Sequence, residues 1–313
     1  MPKVEYTGTK GIVQLTGTDS FSIDGVTINR TPESLLDWNY TTCGAPFVSA
    51  AGLGDANGAL GTGQTLGVLF PNENGRLTHS TLTMVGAFTT TGLLPTIVGP
   101  VPAVDAVDGV VGLNLQLDSE STDNQGFQLH LGSVANASNA NKVTVGTHAA
   151  TIDATFITAD FAEWDCLVVG FRKAEPIQLG FNGIVTGAAG DLAYSDVFVA
   201  GVSGSAKKIQ SRRCLNGATT DTLVDTTSVA VNSDNLRIKV SVSATGVTTF
   251  QYEVNGIAGA GTLQDPAAGT HTHTFDDGDD IVPFIAVLGT GQNASILLKD
   301  VEITRTPGVL HTV

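Results

Sequence analysis

The sequence predicts an all-β protein built as an antiparallel sandwich, and three observations carry that reading. Leu236, Ile238, Val240 and Val242 alternate with Arg237, Lys239 and Ser241, and Phe250, Tyr252 and Val254 then alternate with Thr249, Gln251 and Glu253. Period-two alternation puts one set of side chains on a core face and the other in water. A continuous apolar run from Ile281 to Leu288 predicts a strand covered on both faces. Long helical periodicity is absent, and 37 glycines among 313 residues punctuate the chain with turns.

The elements follow in order. Residues 1–30 read as an extended N-terminal arm, in which Val4 and Tyr6, then Ile12, Val13 and Leu15, are interrupted by Thr7-Gly8-Thr9 and Thr16-Gly17-Thr18. Within it, Phe21, Ile23, Val26 and Ile28 flank Asp24-Gly25, a hairpin signal. Thr31-Pro32-Glu33 offers a helix cap, a proline at the first helical position and an early acid, which predicts a short helix over 32–38. Residues 43–63 are small and glycine-rich and read as a surface loop. Strands are expected at 65–70, 81–88, 112–117, 126–131, 142–145, 151–157, 166–171, 177–181 and 197–202, with a last one at 295–303. Their spacing is that of a sandwich or barrel. The expected division is an arm at 1–30, a β-sandwich at 31–305 and a C-terminal tail at 306–313.

Composition narrows function. Charged residues are only 14% and the net charge is −15, which disfavours nucleic acid as a partner. The one dense basic group, Lys207, Lys208, Arg212 and Arg213, reads as a solvated turn. No apolar run reaches the length of a membrane span, so no membrane partner is expected. No basic-then-apolar leader opens the chain. Cys43, Cys166 and Cys214 are odd in number and lack metal spacing, which predicts free thiols and folding in a reducing cytoplasm.

Chemistry-bearing residues are few. Asp300 and Glu302 have the two-residue spacing that puts paired carboxylates on one strand face, as in jelly-roll glycosidases. The apolar parity shifts between Leu298 and Val301, however, which predicts a bulge and one carboxylate facing solvent at an edge or turn. Asp276-Asp277-Gly278-Asp279-Asp280, preceded by His271 and His273, is the best metal candidate, since the two histidines share a strand face and carboxylates suit Ca²⁺. A charged turn keeping a hairpin soluble explains the same residues. Glycines 52, 54, 58, 61 and 63 lack the strand, helix and lysine of a phosphate loop. No Gly-x-Ser-x-Gly elbow is present. Trp38 and Trp164 read as core anchors. The expectation is therefore no catalytic residue, no cofactor and no resident metal.

Asp123 to Gly132, Tyr194 to Val202, Leu236 to Val242, Gly246 to Gly256, Asp277 to Ile285 and Ala294 to Ile303 together resemble concanavalin-like, or laminin-G-like, jelly-roll sandwiches. Over the whole chain, the opening Tyr6 to Gln14 and the Gly/Ala/Thr-rich body are similar to tailed-bacteriophage virion structural proteins. That resemblance implies a non-enzymatic capsid cement or decoration subunit in the virion, assembled in the host cytoplasm. Its partners would be other virion proteins, and it would form a homo-oligomer through the N-terminal arm by adding strands to a neighbour. The alternative is a tail, fibre or adhesin subunit with lectin-like glycan binding. An enzyme, a glycosidase or lyase using Glu302, is the third reading.

Overall fold

The computed structural model describes residues 3–7, 11–16, 20–23, 26–29, 33–44, 46–49, 65–86, 102–104, 111–114, 125–131, 142–158, 164–177, 194–203, 208–217, 222–229, 235–254, 262–266, 271, 273–289 and 296–306. The strands are β1 (Lys3–Thr7), β2 (Gly11–Thr16), β3 (Ser20–Ile23), β4 (Val26–Asn29) and β5 (Glu33–Asn39), followed by a single helical turn, α1 (Tyr40–Cys43). Next come β6 (Phe47–Ser49), β7 (Thr65–Pro71), β8 (Leu77–Gly86), β9 (Pro102–Val104), β10 (Val111–Asn114), β11 (Gln125–Leu131) and β12 (Val143–Thr144). The remainder are β13 (Ala150–Thr158), β14 (Trp164–Lys173), β15 (Val197–Ser203), β16 (Lys208–Cys214), β17 (Thr222–Val229), β18 (Asn235–Val242), β19 (Thr248–Val254), β20 (Asp280–Gly289) and β21 (Ile296–Arg305).

Among the described residues, two antiparallel sheets form the body. One has seven strands, ordered β19-β18-β13-β21-β10-β9 with β5 also on β21. The other has ten, ordered β17-β16-β15-β14-β20-β11-β8-β7-β6 with β12 on β20. The chain crosses repeatedly between the layers, as from β13 to β14, from β17 to β18 and from β20 to β21, giving a jelly-roll sandwich. Within the arm expected at residues 1–30, β1 pairs β2 and β3 pairs β4 as two separate ribbons. The second ribbon has the register the hairpin signal required, with Ile23 opposite Val26. Asp24-Gly25 itself lies outside the described residues.

Alternation decides what fills the space between the sheets. Ile152, Ala154 and Phe156 of β13, and Leu236, Ile238 and Val240 of β18, face Leu167, Val169 and Phe171 of β14 and Ile285 and Val287 of β20 in one apolar cluster. The other face of the ten-stranded sheet is buried too, with a second cluster containing Cys166, Val168, Val199, Phe284, Ala286 and Leu288. β20 is therefore enclosed on both sides, as its unbroken apolar run predicts; every residue from Ile281 to Leu288 is buried.

Three sequence expectations need correction. Residues 32–38 were expected as a helix, but Glu33–Asn39 is strand β5, zipped to β21 with Trp38 opposite Val301 and Leu36 opposite Ile303. Trp38 is fully buried, its indole Nε1 donating to the Gly44 carbonyl at 2.9 Å and its ring 5.0 Å from Phe70. Docking Leu36 and Trp38 in the core outweighs a local cap signal. The cap appears one element later, where the Asn39 side-chain oxygen accepts from the Thr41 backbone N–H at 2.9 Å and starts α1. Residues 43–63, expected as a loop, include strand β6. Of the basic group expected as a solvated turn, Lys208, Arg212 and Arg213 lie on strand β16, where Arg212 is buried, and Lys207 lies outside the described residues.

Candidate binding face and acidic rim

Polar side chains line up in rows across the outer face of the seven-stranded sheet. Pairing registers place Thr249, Ser241, Thr151, Thr304 and Ser34 side by side across β19, β18, β13, β21 and β5. The hydroxyls of Thr151 and Ser241 lie 3.1 Å apart. A groove of about 340 Å³ opens at this end of the face, lined by Thr151, Ser241, Thr249, Thr304, Thr306 and Val247 among others. One wall is the turn at 243–247, where Gly246 adopts φ +82° and a Cβ would come within 2.2 Å of the Phe275 carbonyl.

The next row along the strands is charged: Gln251, Lys239, Asp153, Glu302 and Asp37. The third is Glu253, Arg237, Thr155, Asp300 and Asn39. Arg237 grips Asp153 with two parallel bonds of 2.9 and 2.8 Å, and that hydrogen bonding raises its pKa. Asp300 accepts from the Asn39 amide at 2.7 Å, yet burial, with Asp153 and Asp37 nearby, holds its carboxyl above the usual carboxylate range. Glu302 is raised in the same direction, by partial burial and then by Asp37 and Asp153.

The Asp300–Glu302 pair sits differently from expectation. The bulge is real: Thr155 pairs Asp300 and Phe156 pairs Leu298, so Lys299 is the extra residue. The two carboxylates nonetheless share the outer face, in a strand flanked by β13 and β5 rather than at an edge. Two residues of strand separate them by about 7 Å along a broad sheet, and the groove lies beyond them, past the Thr304 row.

The second candidate, residues 271–280, divides into three fates. His271 and His273 do share a face, turned into the core. Ser211 Oγ and His271 Nδ1 lie 2.8 Å apart, and Phe250 meets the His271 ring edge-on at 5.3 Å. Asp280 leaves for Lys142 and for the Thr144 hydroxyl at 2.7 Å. Burial pulls the Asp280 pKa up, but those two partners win and leave it lowered. Asp276 and Asp279 remain at the rim, and tertiary folding adds a residue that spacing could not reveal: Asp196, just before β15.

Other candidates resolve plainly. All three cysteines are free, with Cys166 and Cys214 buried. Trp38 is a core anchor; the side chain of Trp164 and the glycines at 52–63 lie outside the described residues. What sequence reading missed is a polar layer within the covered outer face of the ten-stranded sheet. Arg172 lies over the Tyr194 ring at 4.7 Å and donates to the Lys173 and Glu175 carbonyls, and Tyr194 donates to Gln128 at 2.7 Å. Beside them His130 has neither ring nitrogen hydrogen-bonded among the described residues, and burial, aided by Arg172 and His79, drops its pKa to about 3. The alternation of Phe127, Gln128, Leu129 and His130 along β11 was the available signal.

No protein-family model and no curated protein sequence matches the chain. Solved structures do show likeness. A Bauhinia forficata lectin in complex with GalNAc aligns at TM-score 0.43 and 9% identity, over 88% of this chain and 99% of the lectin. Peanut lectin aligns at 0.43 and 12%, over 74% and 99%. A protein of unknown function from Shewanella oneidensis MR-1 aligns at 0.44 and 14%, over 75% and 82%. These are likenesses of outline, and the ligands belong to those proteins. None of them points to a phage.

Proposed function

We propose that this chain is a non-enzymatic binding protein whose ligand is a carbohydrate, held in the hydroxyl-lined groove on the outer face of the seven-stranded sheet. The observation that carries the reading is the alignment of Thr249, Ser241, Thr151 and Thr304 along a groove of about 340 Å³, within the size range of small-molecule sites. Each hydroxyl both donates and accepts, which matches a sugar ring whose own hydroxyls do the same. Threonine is stiff at χ1, so little rotamer freedom is lost on binding. Val247 gives the sugar's C–H surface an apolar contact, and Lys239 and Glu302 in the adjoining row reach further polar groups. Of the two roles expected from sequence, this favours the adhesin-like alternative over capsid decoration. A cement subunit needs a face complementary to protein, and no described surface favours that. The virion setting and self-association through residues 1–30 are carried by the sequence resemblance alone.

A glycan array followed by calorimetry on the hits tests the reading. The expected outcome is a defined set of bound glycans, weakened at least about tenfold, or 1.4 kcal/mol, by Thr151→Val combined with Ser241→Ala. An array without hits, or binding indifferent to those changes in a folded protein, overturns it.

A further inference from the structure

We propose that Asp196, Asp276 and Asp279 form a site for a hard divalent cation of the Ca²⁺ class at the rim of the sandwich. One carboxylate oxygen from each lies within 4.8 Å of the others, the spread that a single ion with oxygen ligands at 2.3–2.6 Å can span. Two segments distant in sequence converge to make it. Asp196 ends the segment leading into β15, and Asp276 and Asp279 sit in the turn leading into β20.

The cluster is more than a solvated group of acids. Asp196 is fully buried, and its Oδ1 has no hydrogen-bond donor among the described residues. Its Oδ2 receives a long 3.4 Å bond from the Asn216 N–H. The His273 imidazole, likewise buried, brings Nε2 to 3.0 Å from Asp196 Oδ1, yet that nitrogen too has no aligned hydrogen bond. Asp279 Oδ2 is a third buried atom without a hydrogen-bond partner among the described residues. Buried polar atoms of this kind cost stability unless something satisfies them, and a cation answers to all the carboxylate oxygens at once. Among the described residues the ammonium at the site is Lys173, bound to Asp279 Oδ1, which raises its pKa and leaves Oδ2 available. Three carboxylates against one ammonium leave two negative charges for a divalent ion.

The turn is held by backbone independently of any ion. Val145 N–H donates to the Asp279 carbonyl at 2.8 Å, Gly278 N–H to Val145 at 3.1 Å, and Phe275 N–H to Gly246 at 3.1 Å. Gly146, at φ +88°, lets the turn come close: a Cβ there would meet Asp277 Oδ1 at 1.8 Å. Carboxylates held in place lose little freedom on binding. The site shares no residue with the hydroxyl groove and stands whether or not a glycan binds there.

The test is calorimetric titration of the full chain, stripped with EDTA, with CaCl₂, alongside thermal melts with and without it. One Ca²⁺ per chain is expected, with Kd on the order of 10⁻⁴ M and a melting temperature raised by roughly 5 °C at a hundredfold excess over Kd. Asp196→Asn abolishes both signals. The exposed Asp276→Asn, which should fold whatever becomes of the first variant, weakens binding at least about tenfold. Absence of heat and of any melting shift up to about 10 mM CaCl₂ overturns the proposal, as does binding unchanged in Asp276→Asn.

Discussion

The outer face of the ten-stranded sheet and the outer face of the seven-stranded sheet are made from the same kind of strand and end in opposite surroundings. On the first, Cys166, Val168, Val199, Phe284 and Ala286 are buried, and the polar residues among them, Gln128, His130 and Arg172, are buried too. On the second, Thr249, Glu302 and Asp37 are exposed and Ser241, Lys239 and Gln251 half-exposed. A polar group on the dry face must be satisfied internally or lose its charge, and Arg172 and His130 illustrate the two solutions. A polar group exposed on the wet face keeps its charge or hydroxyl available to a ligand, whereas Asp153, Thr155 and Glu253 in the same rows are buried. The difference explains why the groove, and not the larger collection of buried polar residues, is the candidate for recognition.

The contrast can be broken most sharply by truncation. Trp38→Ala, in the core between the sheets, should cost about 4 kcal/mol in urea denaturation, while Lys239→Ala on the wet face should stay within about 0.5 kcal/mol. Comparable losses would mean that the outer rows also carry the fold. The next test is acid. The folded pKa of His130 is about 3 against an ordinary 6.5, so below pH 6.5 the unfolded chain takes up a proton that the folded chain refuses. This contribution is intact above pH 6.5 and lost as pH falls towards 3, by about 1.4 kcal/mol per pH unit. His130→Gln should flatten that slope; an unchanged slope would place the proton uptake elsewhere. The smallest effect has the opposite sign. Asp300 has a raised folded pKa, so its carboxyl stabilises the fold as pH falls through that pKa and penalises it above. Asp300→Asn should therefore stabilise by about 0.5 kcal/mol at neutral pH, a gain that disappears in acid. A clear loss at neutral pH would show the Asp300 charge to be structural.

How much of this was legible depends on whether neighbours in sequence were neighbours in space. The alternation of β18 and β19 and the enclosed run of β20 were readable because each strand's own side chains record which faces are covered. So was the bulge at Lys299, because a parity shift is written along one strand. Strand β5 was misread, since its pairing partner β21 lies at the other end of the chain and its local signals favour a helix. The hydroxyl row draws one residue from each of five strands, and the acidic rim joins Asp196 to Asp276 and Asp279 across a long stretch of chain. Neither leaves a spacing that can be recognised.

The residue pattern by itself determined that this is an antiparallel β-sandwich with a continuous core and free cysteines, because period-two burial and turn residues act over a few positions. Only the tertiary structure decided which face is wet, which strands lie side by side, and therefore which hydroxyls and carboxylates meet. Those outcomes depend on strand order and crossing between layers, where the free energy resides in contacts between distant segments and no single segment specifies the partner it will find.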